Sequence, residues 1–127
     1  MKLQRILTMA VVMAATLAAA GCGNSSTEPG ESGTQYQLSD TARESRAGVD
    51  LVLRYDQPNE TFTGTLTNTT GAAVADVRIE IHLSNGVELG PTPRIVIGAG
   101  ETNPVELDAR GQSFTAFSVH IEIGPGS

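Results

Sequence analysis

Two short segments combine histidine and glutamate at a spacing that suits metal binding. Glu80 lies two positions before His82, and Glu122 lies two positions after His120. Residues two apart on a β-strand share a face, so each segment presents an imidazole and a carboxylate on the same side. Both groups are zinc ligands. The spacing therefore indicates a candidate metal site composed of Glu80, His82, His120 and Glu122.

The register between these two segments decides whether the four residues meet. One antiparallel register places His82 opposite His120 and the two glutamates opposite each other, which groups all four as ligands. A register shifted by two residues places Arg78 opposite Glu122 and the other glutamate opposite His120, which makes ordinary charge pairs. Both registers align the apolar faces, but only the second avoids opposing two carboxylates, so we predict the second.

Enzyme motifs do not occur in the sequence. It contains no GxSxG nucleophile elbow, no phosphate-binding loop, no GxGxxG after a strand and no HExxH metal motif. A catalytic nucleophile needs an aligned base, and the pattern places no Ser or Cys beside either histidine. Scattered carboxylates such as Glu101, Glu106 and Asp108 are better explained as an acidic, solvated surface than as catalytic groups. We predict a protein that is not an enzyme and has no cofactor.

The segments that carry the histidines are predicted to be β-strands, as is most of the chain from Tyr36 onward. Apolar residues alternate with polar ones, so one face of each strand is expected to be buried and the other exposed to solvent. The predicted inward residues are Leu51, Leu53 and Tyr55; Phe62, Gly64 and Leu66; Val77, Ile79, Ile81 and Leu83; and Phe117, Val119, Ile121 and Ile123. Shorter strands are predicted at 87–89, 94–97 and 105–107, with a positive-φ turn at Asn85-Gly86.

These strands predict an all-β fold, an antiparallel β-sandwich of about seven strands over residues 36–127. Residues 39–48 carry many charges and tolerate a helical turn, but an irregular lead-in is favoured. Thr61, Thr63, Thr65 and Thr67 are predicted to form the solvent side of a strand, with a carbohydrate- or protein-facing surface as the alternative.

The amino-terminal residues 1–21 have the pattern of an export signal. Lys2 and Arg5 give a positive start, and residues 6–20 are nearly all apolar. That run is shorter than the roughly 20 residues of a membrane-spanning helix, so we predict a removable leader. The residue after the leader is Cys22, the single cysteine, which excludes an internal disulfide and a cysteine-rich zinc site.

Ala19-Ala20-Gly21-Cys22 resembles the lipobox of bacterial lipoprotein signal peptides. The resemblance implies cleavage before Cys22, a diacylglycerol thioether on its sulfur and an acyl chain such as palmitate on the new amino terminus. Two or more chains anchor a protein stably to a membrane. The alternatives are ordinary signal-peptidase cleavage after one of the alanines, or a free thiol at Cys22.

The segment after Cys22 is predicted to be a flexible linker, over residues 22–35, because it contains no apolar residue from Gly23 to Gln35. Gly23 is not the Asp of the inner-membrane retention signal in similar lipoproteins, so an outer-membrane address is expected where there are two membranes. The chain has a net charge of −6, which becomes more negative when Lys2 and Arg5 are removed. Such a surface disfavours nucleic acid and anionic lipid headgroups as partners.

The stretch GTLTNTTGAAVADVRIEIHLSNG, with the later VIGAGETNPVEL, resembles the immunoglobulin-like domains of bacterial surface lipoproteins, including the FxLYD and CARDB types. The resemblance implies an immunoglobulin-like sandwich whose relatives share no single activity. We therefore expect a non-catalytic, lipid-anchored protein of the cell envelope that contacts a protein or glycan partner. The alternative is a periplasmic metal- or small-ligand-binding protein that uses the outward His/Glu face.

Overall fold

The structure is a computed structural model that describes residues 33–125, so the leader, Cys22 and most of the linker lie outside the described residues. The described part consists of strands joined by turns. The strands are β1 (Tyr36–Gln37), β2 (Thr41–Arg46), β3 (Val49–Asp56), β4 (Thr61–Asn68), β5 (Val74–Leu83), β6 (Glu88–Leu89), β7 (Ile95–Ile97), β8 (Thr102–Asp108) and β9 (Ala116–Ile123). Within this range no helix is long and apolar enough to span a bilayer.

The strands form two antiparallel sheets. One sheet has the order β2-β3-β4-β8, and the other has the order β1-β9-β5-β6, with β7 also paired to β5. Each sheet has one apolar side, and the two apolar sides cover each other. The predicted all-β sandwich is therefore confirmed. The nine strands of the described part exceed the predicted seven or so, and two of them, β1 and β6, are only two residues long.

The core lies between the two sheets and contains most of the residues that the alternation predicted to point inward, while Tyr55 and Ile123 are partly buried against it. Phe62 and Phe117, one from each sheet, meet edge to face with ring centroids 4.9 Å apart. The fully or nearly fully buried apolar residues include Leu51, Leu53, Leu66, Val77, Ile79, Ile81, Leu83, Val119 and Ile121. Burial of this apolar surface is the main stabilising contribution to a domain that cannot form an internal disulfide.

The predicted irregular lead-in at 39–48 is wrong, because most of it forms strand β2. Arg46 pairs with Val49, which leaves a two-residue turn of Ala47 and Gly48 with positive φ at both positions (49° and 78°). Turns with positive φ at both central residues match the twist of a hairpin. β2 is an edge strand with one fully buried side chain, Ala42, so its sequence carries little of the apolar alternation that marks the other strands.

One buried polar residue, Asn68, joins the end of β4 to two other segments. Its side chain is 0% exposed. The amide Nδ2 donates to the carbonyl oxygens of Ala72 (2.7 Å), Ile97 (3.0 Å) and Gly98 (3.1 Å), and Oδ1 accepts from the backbone N–H and the hydroxyl of Thr70. These bonds satisfy the buried amide and connect the end of β4 to the backbone of two other segments at this end of the sandwich.

The outward face of the β5/β9 pair is less exposed to solvent than predicted. Glu80 is only 9% exposed and Ser118 only 2%. β5 and β9 are neighbours inside the sheet, so their outward side chains cover one another. The backbone at Gly33 also passes over this face, since a Cβ placed there would lie 2.8 Å from the His120 ring. Alternation identified the direction of these side chains but not their shelter from solvent.

Candidate functional site

The pairing of β5 with β9 has the register that the charges predicted. Arg78 pairs with Glu122, and Glu80 pairs with His120. The register that opposes the two histidines is not formed. Instead His82 pairs with Ser118, and the two imidazoles become diagonal neighbours across the strands.

Arg78 and Glu122 form a close ion pair. Nε and Nη2 of Arg78 each lie 2.5 Å from Oε2 of Glu122, and the side chains are 15% and 34% exposed. This contact holds the Glu122 carboxylate on the arginine. Of the four predicted ligands, the structure therefore groups Glu80, His82 and His120, while Glu122 is bonded elsewhere.

A different glutamate, Glu88, lies beside Glu80 and His82. Glu88 pairs with His82 across the β5/β6 ladder, and its Oε2 lies 3.8 Å from His82 Nε2. Oε2 of Glu80 lies 3.9 Å from the same nitrogen. We call Glu80, His82 and Glu88 the Glu-His-Glu cluster; their ligand atoms all lie within 4.8 Å of one another.

Sequence reasoning missed Glu88, although a signal for it was present. Asn85-Gly86 predicted a turn and a short return strand at 87–89, and Gly86 does adopt positive φ (86°). The hairpin closes with the Leu83 N–H donating to the Val87 carbonyl oxygen, which sets Glu88 beside His82. Continuing the alternation through that turn would have placed Glu88 on the outward face.

His120 contacts the cluster through its ring. The centroids of His82 and His120 lie 4.9 Å apart with an interplanar angle of 77°. Ser118 Oγ lies 3.4 Å from His120 Nε2, so the expectation that no Ser stands beside a histidine is wrong. Because Ser118 is 2% exposed, its hydroxyl is inaccessible to a substrate, and the pair does not form a usable nucleophile and base.

The surroundings of Glu80 disfavour its negative charge. Burial raises the pKa of the Glu80 carboxyl above its ordinary value, and the nearby charges of Glu122 and Glu88 raise it further. Arg78 and His82 act in the opposite direction without cancelling these effects. A proton or another cation beside the Glu80 carboxyl group would therefore stabilise it.

A second feature lies at one end of the sandwich, where the β1–β2 turn and the β3–β4 turn meet. An open groove of about 740 Å³ runs there, lined by residues 37–39, 54–58, Thr63 and Thr115. The Tyr55 ring borders the groove and packs on Phe62 and Phe114, with centroid distances of 4.9 Å to each. Burial raises the pKa of the Tyr55 phenol, as do Glu60 and Asp56 more weakly, so the hydroxyl remains a hydrogen-bond donor.

The threonine-rich face of β4 lies on the outer side of its sheet, as predicted for the solvent side of a strand. Thr63 and Thr65 are exposed, whereas Thr61 and Thr67 are half-buried. The hydroxyls of Thr67 and Thr102 lie 2.9 Å apart across the β4/β8 ladder. The Thr61 hydroxyl instead donates to the Asn59 carbonyl oxygen, and Thr63 lines the groove beside Tyr55.

Comparison with known proteins found no matching protein-family model, no matching curated protein and no matching solved structure.

Proposed function

We propose that this protein is a non-catalytic, lipid-anchored binding module of the bacterial cell envelope. The leader pattern and the lipobox-like Ala19-Ala20-Gly21-Cys22 support the lipid anchor. The residues from Gly23 to Gln35 then serve as a tether that holds the domain away from the membrane surface. The immunoglobulin-like resemblance supports a domain that presents surfaces to partners.

The groove beside Tyr55 is the observation that carries the binding role. Its lining combines an aromatic ring with charged and amide side chains, including Arg54, Asp56 and Gln57. An aromatic surface with polar groups at its margin suits the ring faces and hydroxyls of a glycan, and it also suits a peptide segment. The groove is open to solvent, so it fits a partner that approaches from outside.

The anchor is tested by mass spectrometry of the protein extracted from membranes of the native host. The expected amino-terminal peptide begins at Cys22 and carries a diacylglycerol thioether and an acyl chain. A Cys22→Ser variant is expected to leave the membrane fraction. An unmodified Cys22 in membrane-extracted wild-type protein would overturn the anchor.

The binding role is tested by photo-crosslinking in intact cells. A photoreactive residue at Gln57, which is exposed at the groove, is expected to capture a distinct protein or glycan adduct. The matched control is the same residue at Ala72, which is exposed in the β4–β5 connection at the opposite end of the sandwich. Identical adducts at both positions, or none at Gln57, would contradict a partner in the groove.

A further inference from the structure

The Glu-His-Glu cluster has the composition and spacing of a metal site. One imidazole nitrogen, His82 Nε2, lies between two carboxylate oxygens at 3.8 and 3.9 Å. Ligand atoms about 2.1 Å from a tetrahedral ion lie ~3.4 Å apart. The two nitrogen–oxygen distances therefore need to shorten by only about half an ångström each to reach coordination distance, and all three ligand atoms already lie within 4.8 Å of one another.

The local framework combines two fixed ligands with one adjustable ligand. Glu80 and His82 lie on the long central strand β5, whose backbone is paired on both edges. Glu88 lies on the two-residue strand β6, and its side chain is 46% exposed, so it can change rotamer. The edge contact with the His120 ring limits the orientations that His82 can take.

The charges on this face also favour a cation at the cluster. Three carboxylates, those of Glu80, Glu88 and Glu122, face outward near one another. The Arg78 guanidinium is bonded to Glu122 and so neutralises only one of them. A divalent ion would offset the repulsion between Glu80 and Glu88 directly.

We propose that Glu80, His82 and Glu88 bind a divalent transition-metal ion of the zinc class. An imidazole nitrogen with two carboxylates suits zinc, whereas calcium prefers a shell of oxygen ligands. Glu122 is not a ligand, because Arg78 holds it. Water at the exposed side of Glu88 completes the coordination. The proposal does not depend on the lipid anchor or on the groove at Tyr55.

Zinc titration of the full chain tests the site. The protein is purified in detergent without a polyhistidine tag, stripped with a chelator and titrated with zinc chloride by calorimetry at pH 7. One ion per chain is expected, with a rise in the unfolding temperature, and calcium chloride is expected to give no heat. Absence of saturable zinc binding would overturn the proposal.

Three single variants assign the ligands. Glu88→Gln is expected to weaken zinc binding at least tenfold, and because Glu88 is half exposed on a short strand the variant should fold. Glu122→Gln and the distant, exposed Glu106→Gln are expected to bind within about twofold of wild type. A melting curve without metal checks that each variant is folded. Unchanged affinity in Glu88→Gln, or equal losses in Glu88→Gln and Glu122→Gln, would show that the assigned ligand set is wrong.

Discussion

Arg78 holds Glu122 on the outward face of the β5/β9 pair, with two guanidinium nitrogens each 2.5 Å from one carboxylate oxygen. This contact joins strands that lie far apart in the sequence. It also keeps Glu122, which the His-x-Glu spacing had suggested as a ligand, out of the Glu-His-Glu cluster. The glutamate that replaces it, Glu88, arrives from the neighbouring hairpin.

Loss of this ion pair should destabilise the protein moderately. Arg78→Met keeps an apolar stem but removes the cation, and we expect the free energy of unfolding to fall by about 1 to 2 kcal/mol, since Glu122 is partly exposed to solvent. Urea unfolding at pH 7 measures the change. The double variant Arg78→Met/Glu122→Gln should recover most of the loss, because no carboxylate is then left without its partner. Equal losses in the single and double variants would contradict this account.

Glu80→Gln should stabilise the metal-free protein at neutral pH. The pKa of Glu80 is raised above its ordinary value of 4.5, so the folded state holds the proton more tightly than the unfolded state. The stability that the protonated Glu80 contributes to the folded state is fully present below that ordinary value, and it is lost as the pH rises through the folded-state pKa. The uncharged variant should therefore exceed wild type in unfolding free energy at pH 7, and the gain should disappear near the ordinary pKa. Urea titrations with chelator at both pH values measure the difference; a gain that does not change with pH would count against it.

Asn68→Ala should be strongly destabilising. The substitution removes the buried amide together with its three hydrogen bonds to the carbonyl oxygens of Ala72, Ile97 and Gly98. A loss of about 3 kcal/mol is expected, as for other broken buried hydrogen-bond networks. The control is Asn59→Ala, whose amide donates to Asp56 in an exposed turn and which should cost less than about 1 kcal/mol. Similar midpoints for the two variants in urea would show that the Asn68 network contributes little.

The outer edge of β9 should open when two side chains of β2 are removed. The Ile121 N–H donates to Glu44 Oε2 at 3.0 Å, and the Ile121 carbonyl accepts from Arg46 Nη1 at 2.8 Å. In Glu44→Ala/Arg46→Ala this backbone is left unpaired at a sheet edge. Hydrogen exchange at the Ile121 amide, followed by mass spectrometry, should become about tenfold faster or more. Arg43→Ala on the same strand should leave that exchange rate unchanged, and an unchanged rate in the double variant would contradict the edge-capping role.

The strands that were predictable share one property: their inward residues are apolar. Val77, Ile79 and Ile81 alternate without a break, and all three are 0% exposed. β2 was missed because Ala42 is its one fully buried apolar residue, while Glu44 and Arg46 on the same parity bond the backbone of β9. A strand whose inward positions are polar has no hydrophobic period to detect.

The candidate site was predictable in part for a similar reason. The two-residue spacing identified Glu80 and His82, and the rule against opposing like charges selected the observed register. Glu88 was not identified, because its place depends on how the hairpin after Asn85-Gly86 closes. The shelter of Glu80 and Ser118 was also missed, since burial on the outward face depends on neighbouring strands.

The amino-acid sequence by itself determined where most strands lie, which of their faces is apolar and how β5 and β9 align, because these follow from local alternation and from charge pairing between two strands. Only the tertiary structure decided that Arg78 holds Glu122, that Glu88 lies beside His82 in the Glu-His-Glu cluster and that side chains of β2 bond the outer edge of β9. Those contacts join side chains from elements that become neighbours only when the strands assemble into sheets, and no local period in the chain encodes that arrangement.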